Sequence, residues 1–449
     1  MQGQENLTLL TDLYQLTMSQ AYFREHQLGT ASFSLFIRSN PPNRGYFVAA
    51  GLRDVVDYLT NFSFDQAALD YLAAQRLFSD DFLHYLANVK FTGEVWAIPE
   101  GRLFFKDEPV IEVTAPVIQA QIAETVIINQ VHLQSMIASK AARCVHAAGG
   151  RPVVDFALRR THGSDAGLKV ARASYLAGFT GTSNVMAGKD YGIPIVGTMA
   201  HSFVMSFERE IDAFRAYAAS FPRATILLID TYETGAGARN AAIVGKEMAD
   251  RGEKLIGVRI DSGDLPVQAR AVRQILDDAG LPEVKILGSG GLDEYDLAQF
   301  AADKVPFDSY GVGTKMGTSA DAPWTDMSYK MVEYAGRSVQ KLSTGKISWP
   351  GKKQVFRRLD AEGNLGSDVI GLRTDNIAGA EPLLRKVMDR GKALRLANLE
   401  ESRSTLLEEL KRLPEPIKAI RNPARYPVEF SPALQKLRAE VASNLTIMN

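Results

Sequence analysis

Short apolar, β-branched runs alternate with longer amphipathic stretches across the middle of the chain. The runs are PVVDFAL (152–158), IPIVGT (193–198), ATILLID (224–230), KLIGVRI (254–260), VKILGS (284–289) and SYGVGT (309–314), and they recur about every 25–40 residues. Between them lie segments with apolar positions at helical spacing, such as ARNAAIVGKEMADRG and DLPVQARAVRQILDDAG. Continuous apolar runs suit strands buried on both faces, and the alternation predicts successive right-handed βαβ units around a parallel sheet. Six such units suggest an α/β barrel. A doubly wound open sheet has the same pattern, so closure stays open at this level.

The flanks read differently. From about residue 6 to 126 a helix-like start, TDLYQLTMSQAYFREHQ, gives way to alternating stretches such as ASFSLFIR and GEVWAIPEG. Thr11 is placed to cap that first helix, with Asp12 near its positive end. A long helical pattern over 118–148, closed by Gly149 and Gly150, is expected to bridge two domains. Beyond Trp324, MSYKMVEYAG reads as a strand, and KKQVFRRLD with LGSDVIGL reads as a hairpin around AEGN. From about Pro382 onward the expectation is charge-rich helix.

Composition narrows the class. The 449 residues are 46% apolar and 23% charged, so the chain can bury a core and is not disordered. With 51 basic and 52 acidic side chains it carries no global field for nucleic acid or anionic lipid. A single cysteine, Cys144, rules out an intramolecular disulfide and suits a reducing compartment. The opening MQGQENLTLL lacks the pattern of a signal peptide, and no apolar window is long enough to span a bilayer. These features read as a cytoplasmic protein with no membrane or nucleic-acid partner.

In parallel βα architectures, chemistry gathers at the carboxyl ends of the strands. Here those ends carry Phe156, Arg159 and Arg160; Thr198 and His201; Asp230; Arg259 with Asp261; Ser289, Gly290 and Gly291; and Gly311, Gly313 and Thr314. The GSGG and GVGTKMGT turns bring backbone N–H groups to phosphate oxygens, and two such turns suggest a substrate with phosphates at two places. Neither matches a Walker A loop, and no GxGxxG follows a strand. The arginine forks suit carboxylate or phosphate. In RIDSGD, Asp261 is suited to sugar hydroxyls or Mg2+ and Asp264 to capping the next helix. His201 sits among these groups, with Asp230 available to fix its tautomer. His26, His84, His132 and His146 fall outside the rim and read as structural; His162 is given no role.

Together, LTDLYQLTM, PEG (99–101), DFALRRTHG, GTSNVMAG, GTMAHSF, IDTYETGAG, RIDSGD, LGSGGL, GVGT and KISWPGKKQVFR (346–357) closely resemble the nicotinate phosphoribosyltransferases. The likeness spans about residues 7–357 in one order. It implies a type II phosphoribosyltransferase that makes nicotinate mononucleotide and diphosphate from nicotinate and 5-phosphoribosyl 1-diphosphate. In the family this is coupled to ATP hydrolysis, with Mg2+, in NAD salvage. The implied fold is an irregular parallel α/β barrel (151–326) and a connecting helix (127–150). A second α+β domain is formed by residues 1–126 and completed by 327–449. A homodimer with shared active sites is also implied.

By this resemblance His201 is the histidine that ATP phosphorylates, Asp230 its orienting carboxylate, and Asp261 the acid on the ribose or its Mg2+. Tyr14, from the partner subunit, and Phe156 sandwich the pyridine. Thr198 and Arg259 line the nicotinate pocket, and Arg159 lies near base and phosphate. Ser289, Gly290, Gly291, Gly313 and Thr314 form the phosphate loops. Ser183 stands where the related nicotinamide enzymes carry an aspartate; a neutral residue there does not repel a carboxylate, which favours nicotinate. Rival readings are a quinolinate phosphoribosyltransferase, whose members are shorter and lack the AHS motif, and a catalytically silent pyridine-nucleotide sensor.

Overall fold

The computed structural model describes residues 7–342 and 348–448, so MQGQEN and the first two residues of the KISWPG motif lie outside the described residues. Two compact units divide the chain: Met1–Ser139 with Ala322–Asn449, and Lys140–Asp321. The cut falls inside the helix Glu124–Ala147. The helical pattern expected over 118–148 is two helices, Val117–Ile122 and Glu124–Ala147. Gly149 and Gly150 follow with φ of 59° and 85°, the left-handed backbone that ends a helix without steric cost.

In the unit made of both chain ends, the main sheet has seven strands. Its order is Arg337–Ser338, Met327–Tyr334, Thr30–Ile37, Ile111–Pro116, Glu94–Ala97, Arg385–Asp389 and Lys392–Ala393. Neighbours run antiparallel throughout. The stretch ASFSLFI alternates because one face packs Ala31, Phe33, Leu35 and Ile37 into the core. The serines of the other face are also buried, Ser32 bonded to Thr114 at 2.9 Å and Ser34 donating to Glu112. The expected hairpin is present as Lys353–Leu359 against Leu365–Leu372, in a four-stranded sheet completed by Glu381–Pro382 and Val428–Phe430.

Two expectations for this unit are corrected. Asp12, not Thr11, precedes the first helix Leu13–Arg24, and its N–H donates to Gln15 Oε1 at 3.1 Å in a capping box, while the Thr11 hydroxyl bonds the Ile122 carbonyl. The segment after Pro382 is not all helix. Val387 and Met388 are buried in a strand that pairs with Glu94–Ala97, a partner almost 300 residues away that local periodicity does not reveal.

The unit Lys140–Asp321 is a curled, half-barrel parallel sheet. Its order is Gly181–Thr182, Val153–Asp155, Ser309–Val312, Lys285–Gly288, Gly257–Ile260 and Ile226–Leu228. Five of the six predicted runs are strands. The sixth, IPIVGT, contributes only a bridge from Ile195 to Thr182, and the two-residue strand Gly181–Thr182 takes the sheet position. Pro194 lacks a donor, so its carbonyl alone serves the pairing, accepting from Thr182 N at 3.0 Å. Helices Ser164–Leu176, Thr234–Asp250, Leu265–Asp278 and Glu294–Ala302 fill the crossovers.

Candidate active site

Because the strands are parallel, their carboxyl ends present one row of loops. The residues Ser183, Phe156, Gly313, Ser289, Asp261 and Asp230 stand at or just beyond the ends of six adjacent strands. Arg259 lies within its strand, its side chain 13% exposed. Its Nη1 donates to Thr198 Oγ1 at 2.6 Å, its Nη2 is 3.7 Å from Asp261 Oδ1, and its buried Nε has no partner. The guanidinium carbon is 6.0 Å from the centre of the Phe156 ring. Burial pushes the pKa of Arg259 down; Asp261 and Asp230 oppose this, and Arg159 adds repulsion. Sequence thus placed Phe156, Thr198 and Arg259 together, and the structure brings them together.

Room for the aromatic ring comes from glycine. A Cβ on Gly311 would fall 2.5 Å from two carbons of the Phe156 ring, and one on Gly313 would fall 2.9 Å from the Phe156 carbonyl. Asp155, which sequence reasoning passed over, holds the neighbouring turns. Its buried carboxylate accepts from Ala157 N at 2.8 Å and from Thr182 Oγ1 at 2.7 Å, and its carbonyl accepts from Ser183 N at 2.8 Å. Burial raises its pKa. The signal that could have found it is an aspartate inside an otherwise apolar strand.

His201 opens the helix His201–Met205. Its expected orienting group, Asp230, makes its hydrogen bonds elsewhere. The Asp230 Oδ2 accepts from Asp261 N at 3.0 Å and Ser262 Oγ at 2.6 Å, so it is held by the next strand end rather than by the imidazole. The His201 Nδ1 instead lies 3.2 Å from Thr231 Oγ1, and its Nε2 lies 4.0 Å from Asp261 Oδ2. Asp230 Oδ1 is buried without a donor.

The loop residues divide. Gly290 has φ of 96°, and a Cβ there would fall 1.8 Å from the Asp261 carbonyl, so only glycine allows these two loops to touch. Gly291 has φ of 68° with open space around it. Ser289 is 2% exposed and donates to Asp261 Oδ1 at 2.5 Å. Thr314 is exposed at the start of the short helix Thr314–Gly317, and Arg159 is exposed in the turn Leu158–Arg160. Asp264 caps Leu265–Asp278 through Val267 N, as expected. Lys315 pairs with Asp293 at 3.1 Å and Asp296 at 3.2 Å, behind which Glu294 is fully buried against Lys140 and Arg143. Tyr14 belongs to the other unit, on Leu13–Arg24, 47% exposed; burial and Glu124 push its phenol up to about 12.

Among the described residues no group of three or more His, Cys, Asp or Glu could hold a metal ion. Asp261, its side chain 34% exposed, offers a hard carboxylate oxygen at the rim. No helix among the described residues is long and apolar enough to cross a membrane.

Fold and rim together define an α/β protein whose carboxylates, arginine, imidazole and glycine turns are gathered at one end of a parallel half-barrel. Comparison with known proteins identifies its family. Residues 9–132 match the nicotinate phosphoribosyltransferase (NAPRTase) N-terminal domain, 152–352 the nicotinate phosphoribosyltransferase family, and 374–438 its C-terminal domain. The chain is 48% identical over 426 residues to nicotinate phosphoribosyltransferase pncB2 of Mycobacterium tuberculosis, covering 94% of this chain and 91% of that one. It is 39% identical over 362 residues to the Bacillus subtilis nicotinate phosphoribosyltransferase, covering 79% and 73%. The crystal structure of human nicotinic acid phosphoribosyltransferase superposes with a TM-score of 0.86 at 30% identity, covering 96% and 99%. The chain belongs to the nicotinate phosphoribosyltransferase family.

Proposed function

We propose that this protein joins nicotinate to 5-phosphoribosyl 1-diphosphate, releasing diphosphate and forming nicotinate mononucleotide, with ATP hydrolysis coupled through phosphorylation of His201. The observation that carries the reading is Arg259, a largely buried guanidinium that lies beside an aromatic ring and whose Nε–H has no partner. That geometry suits a flat ring bearing a carboxylate, with Phe156 against the ring and Arg259 and Thr198 on the carboxylate.

In the transfer, the anomeric C–O bond breaks as the pyridine nitrogen attacks with its own lone pair, so the protein needs no base for the nucleophile. Positive charge grows on the ribose, where Asp261 stabilises it, and negative charge on the departing diphosphate, where backbone N–H groups of residues 290, 291, 313 and 314 and Arg159 donate. Asp261 is the residue that would meet a Mg2+ ion here, and that ion would supply further neutralisation of the leaving group. A phosphate on His201 would add about 1.5–2 negative charges near Asp261 and the glycine turns, altering how the loops hold the sugar diphosphate. Tyr14 of a second copy closes the pyridine sandwich in a homodimer with shared sites, and the setting is cytoplasmic.

Incubating purified protein with nicotinate, the sugar diphosphate, Mg2+ and ATP should yield mononucleotide. The variant His201→Ala should lose the stimulation by ATP. No mononucleotide from the unmutated chain would defeat the assignment, and ATP stimulation retained in His201→Ala would defeat the role of that histidine.

A further inference from the structure

Resting on the reading above, we propose that Ser289 is a positioning residue for Asp261 and not a phosphate ligand: its hydroxyl holds one oxygen of the carboxylate so that the other is free for the sugar. A hydroxyl has one proton to give. In Ser289 it is directed at Asp261 Oδ1, 2.5 Å away, a length in the range of charge-assisted O–H···O⁻ bonds, whereas the other acceptor in reach, the Ile260 carbonyl, is 3.5 Å off. At 2% exposure the side chain has no open face to offer a phosphate.

The main chain leaves neither partner room to turn away. Ser289 N donates to the Ile260 carbonyl at 2.9 Å, and Asp261 N donates to Asp230 Oδ2 at 3.0 Å. Gly290, which follows the serine, is pressed against the Asp261 carbonyl where any Cβ would collide. Asp261 Oδ1 also faces Arg259 Nη2 at 3.7 Å. Its Oδ2 is left on the His201 side, 4.0 Å from Nε2. Three adjacent strand ends thus aim a single carboxylate oxygen at the sugar.

The test is a double-mutant cycle in the full chain between Ser289→Ala and Asp261→Asn, read as kcat/KM for the sugar diphosphate. Loss of one hydrogen bond to a charged group should cost Ser289→Ala about tenfold in that parameter, leave KM for nicotinate essentially unchanged, and cost nothing further once Asp261 is Asn. A phosphate ligand would instead show its full loss on both backgrounds. That result, or an unchanged kcat/KM in Ser289→Ala, would overturn the proposal. Where turnover of the Asn variants is too slow, calorimetric binding of the sugar diphosphate supplies the same cycle. If Ser289→Ala does not fold, Ser289→Cys, slightly larger and with only a weak donor, is read the same way. Failure of the unmutated chain to make mononucleotide is a different result, because it removes the enzymatic reading itself.

Discussion

Arg357 and Arg259 are both withdrawn from solvent, on opposite terms. Arg357, in the unit built from both chain ends, is 1% exposed and every nitrogen has a partner. Its Nε and Nη2 bond Asp368, Nη1 bonds both oxygens of Glu409 at 3.1 Å, and Nη2 also bonds the Leu103 carbonyl at 2.9 Å. Burial alone would lower its pKa, but Asp368, Glu409 and Glu108 outweigh it and the net direction is up. Arg259, on the half-barrel rim, has one strong bond and a buried Nε without a partner, and its pKa goes down. A saturated buried charge holds segments together, whereas an unsaturated one is stable only as far as a ligand completes it.

That contrast can be broken by exchanging the losses. Arg357→Met should cost about 3–5 kcal/mol of unfolding free energy, because it strands Asp368 without its cation and leaves Glu409 to Arg102 alone. The urea midpoint checks this, and a loss below about 1 kcal/mol would mean that the network is not the staple its bonds suggest. Arg259→Gln should barely move that midpoint, since it relieves a charge the free protein satisfies only in part. Its cost should fall on nicotinate instead, about 30–100-fold in kcat/KM, with a smaller loss for nicotinamide, which brings no carboxylate. A large stability loss with intact nicotinate use would reverse the assignment of the two arginines.

The same contrast explains what could be read along the chain. Parallel strands buried on both faces are contiguous apolar runs, so 224–230, 254–260, 284–289 and 309–314 were visible as strands, and their polar ends named the rim. Side-chain direction was not visible. Asp230 and Thr231 are neighbours in sequence, and only the pairing of strand ends turns the carboxylate toward Asp261 and the hydroxyl toward His201. Nor was the partner of Ser289, since a serine before two glycines reads as part of a phosphate turn until a carboxylate is found 2.5 Å away. Arg357 stood in a predicted hairpin with no role, because its partners come from residues 103, 368 and 409. Local pattern reports burial and periodicity, but not which distant charge arrives.

The smallest expected effect sharpens the saturated side of the comparison. Glu108 is fully buried beside Arg357, with Oε2 accepting from Phe105 N at 2.8 Å and Oε1 without a donor. Burial, then the neighbouring Asp368, holds its pKa well above the ordinary 4.5, with Arg357 only partly opposing. The folded state therefore binds a proton that the unfolded chain releases near pH 4.5. This contribution is fully present below that pH and is lost as pH rises through the folded value, by at most about 1.4 kcal/mol per pH unit. Glu108→Gln keeps the shape, keeps an acceptor for Phe105 N–H and supplies a permanent donor toward Asp368. Urea midpoints from pH 4.5 upward should fall with pH more steeply in the unmutated protein than in this variant. Equal slopes would place the proton elsewhere in the network and defeat its assignment to Glu108.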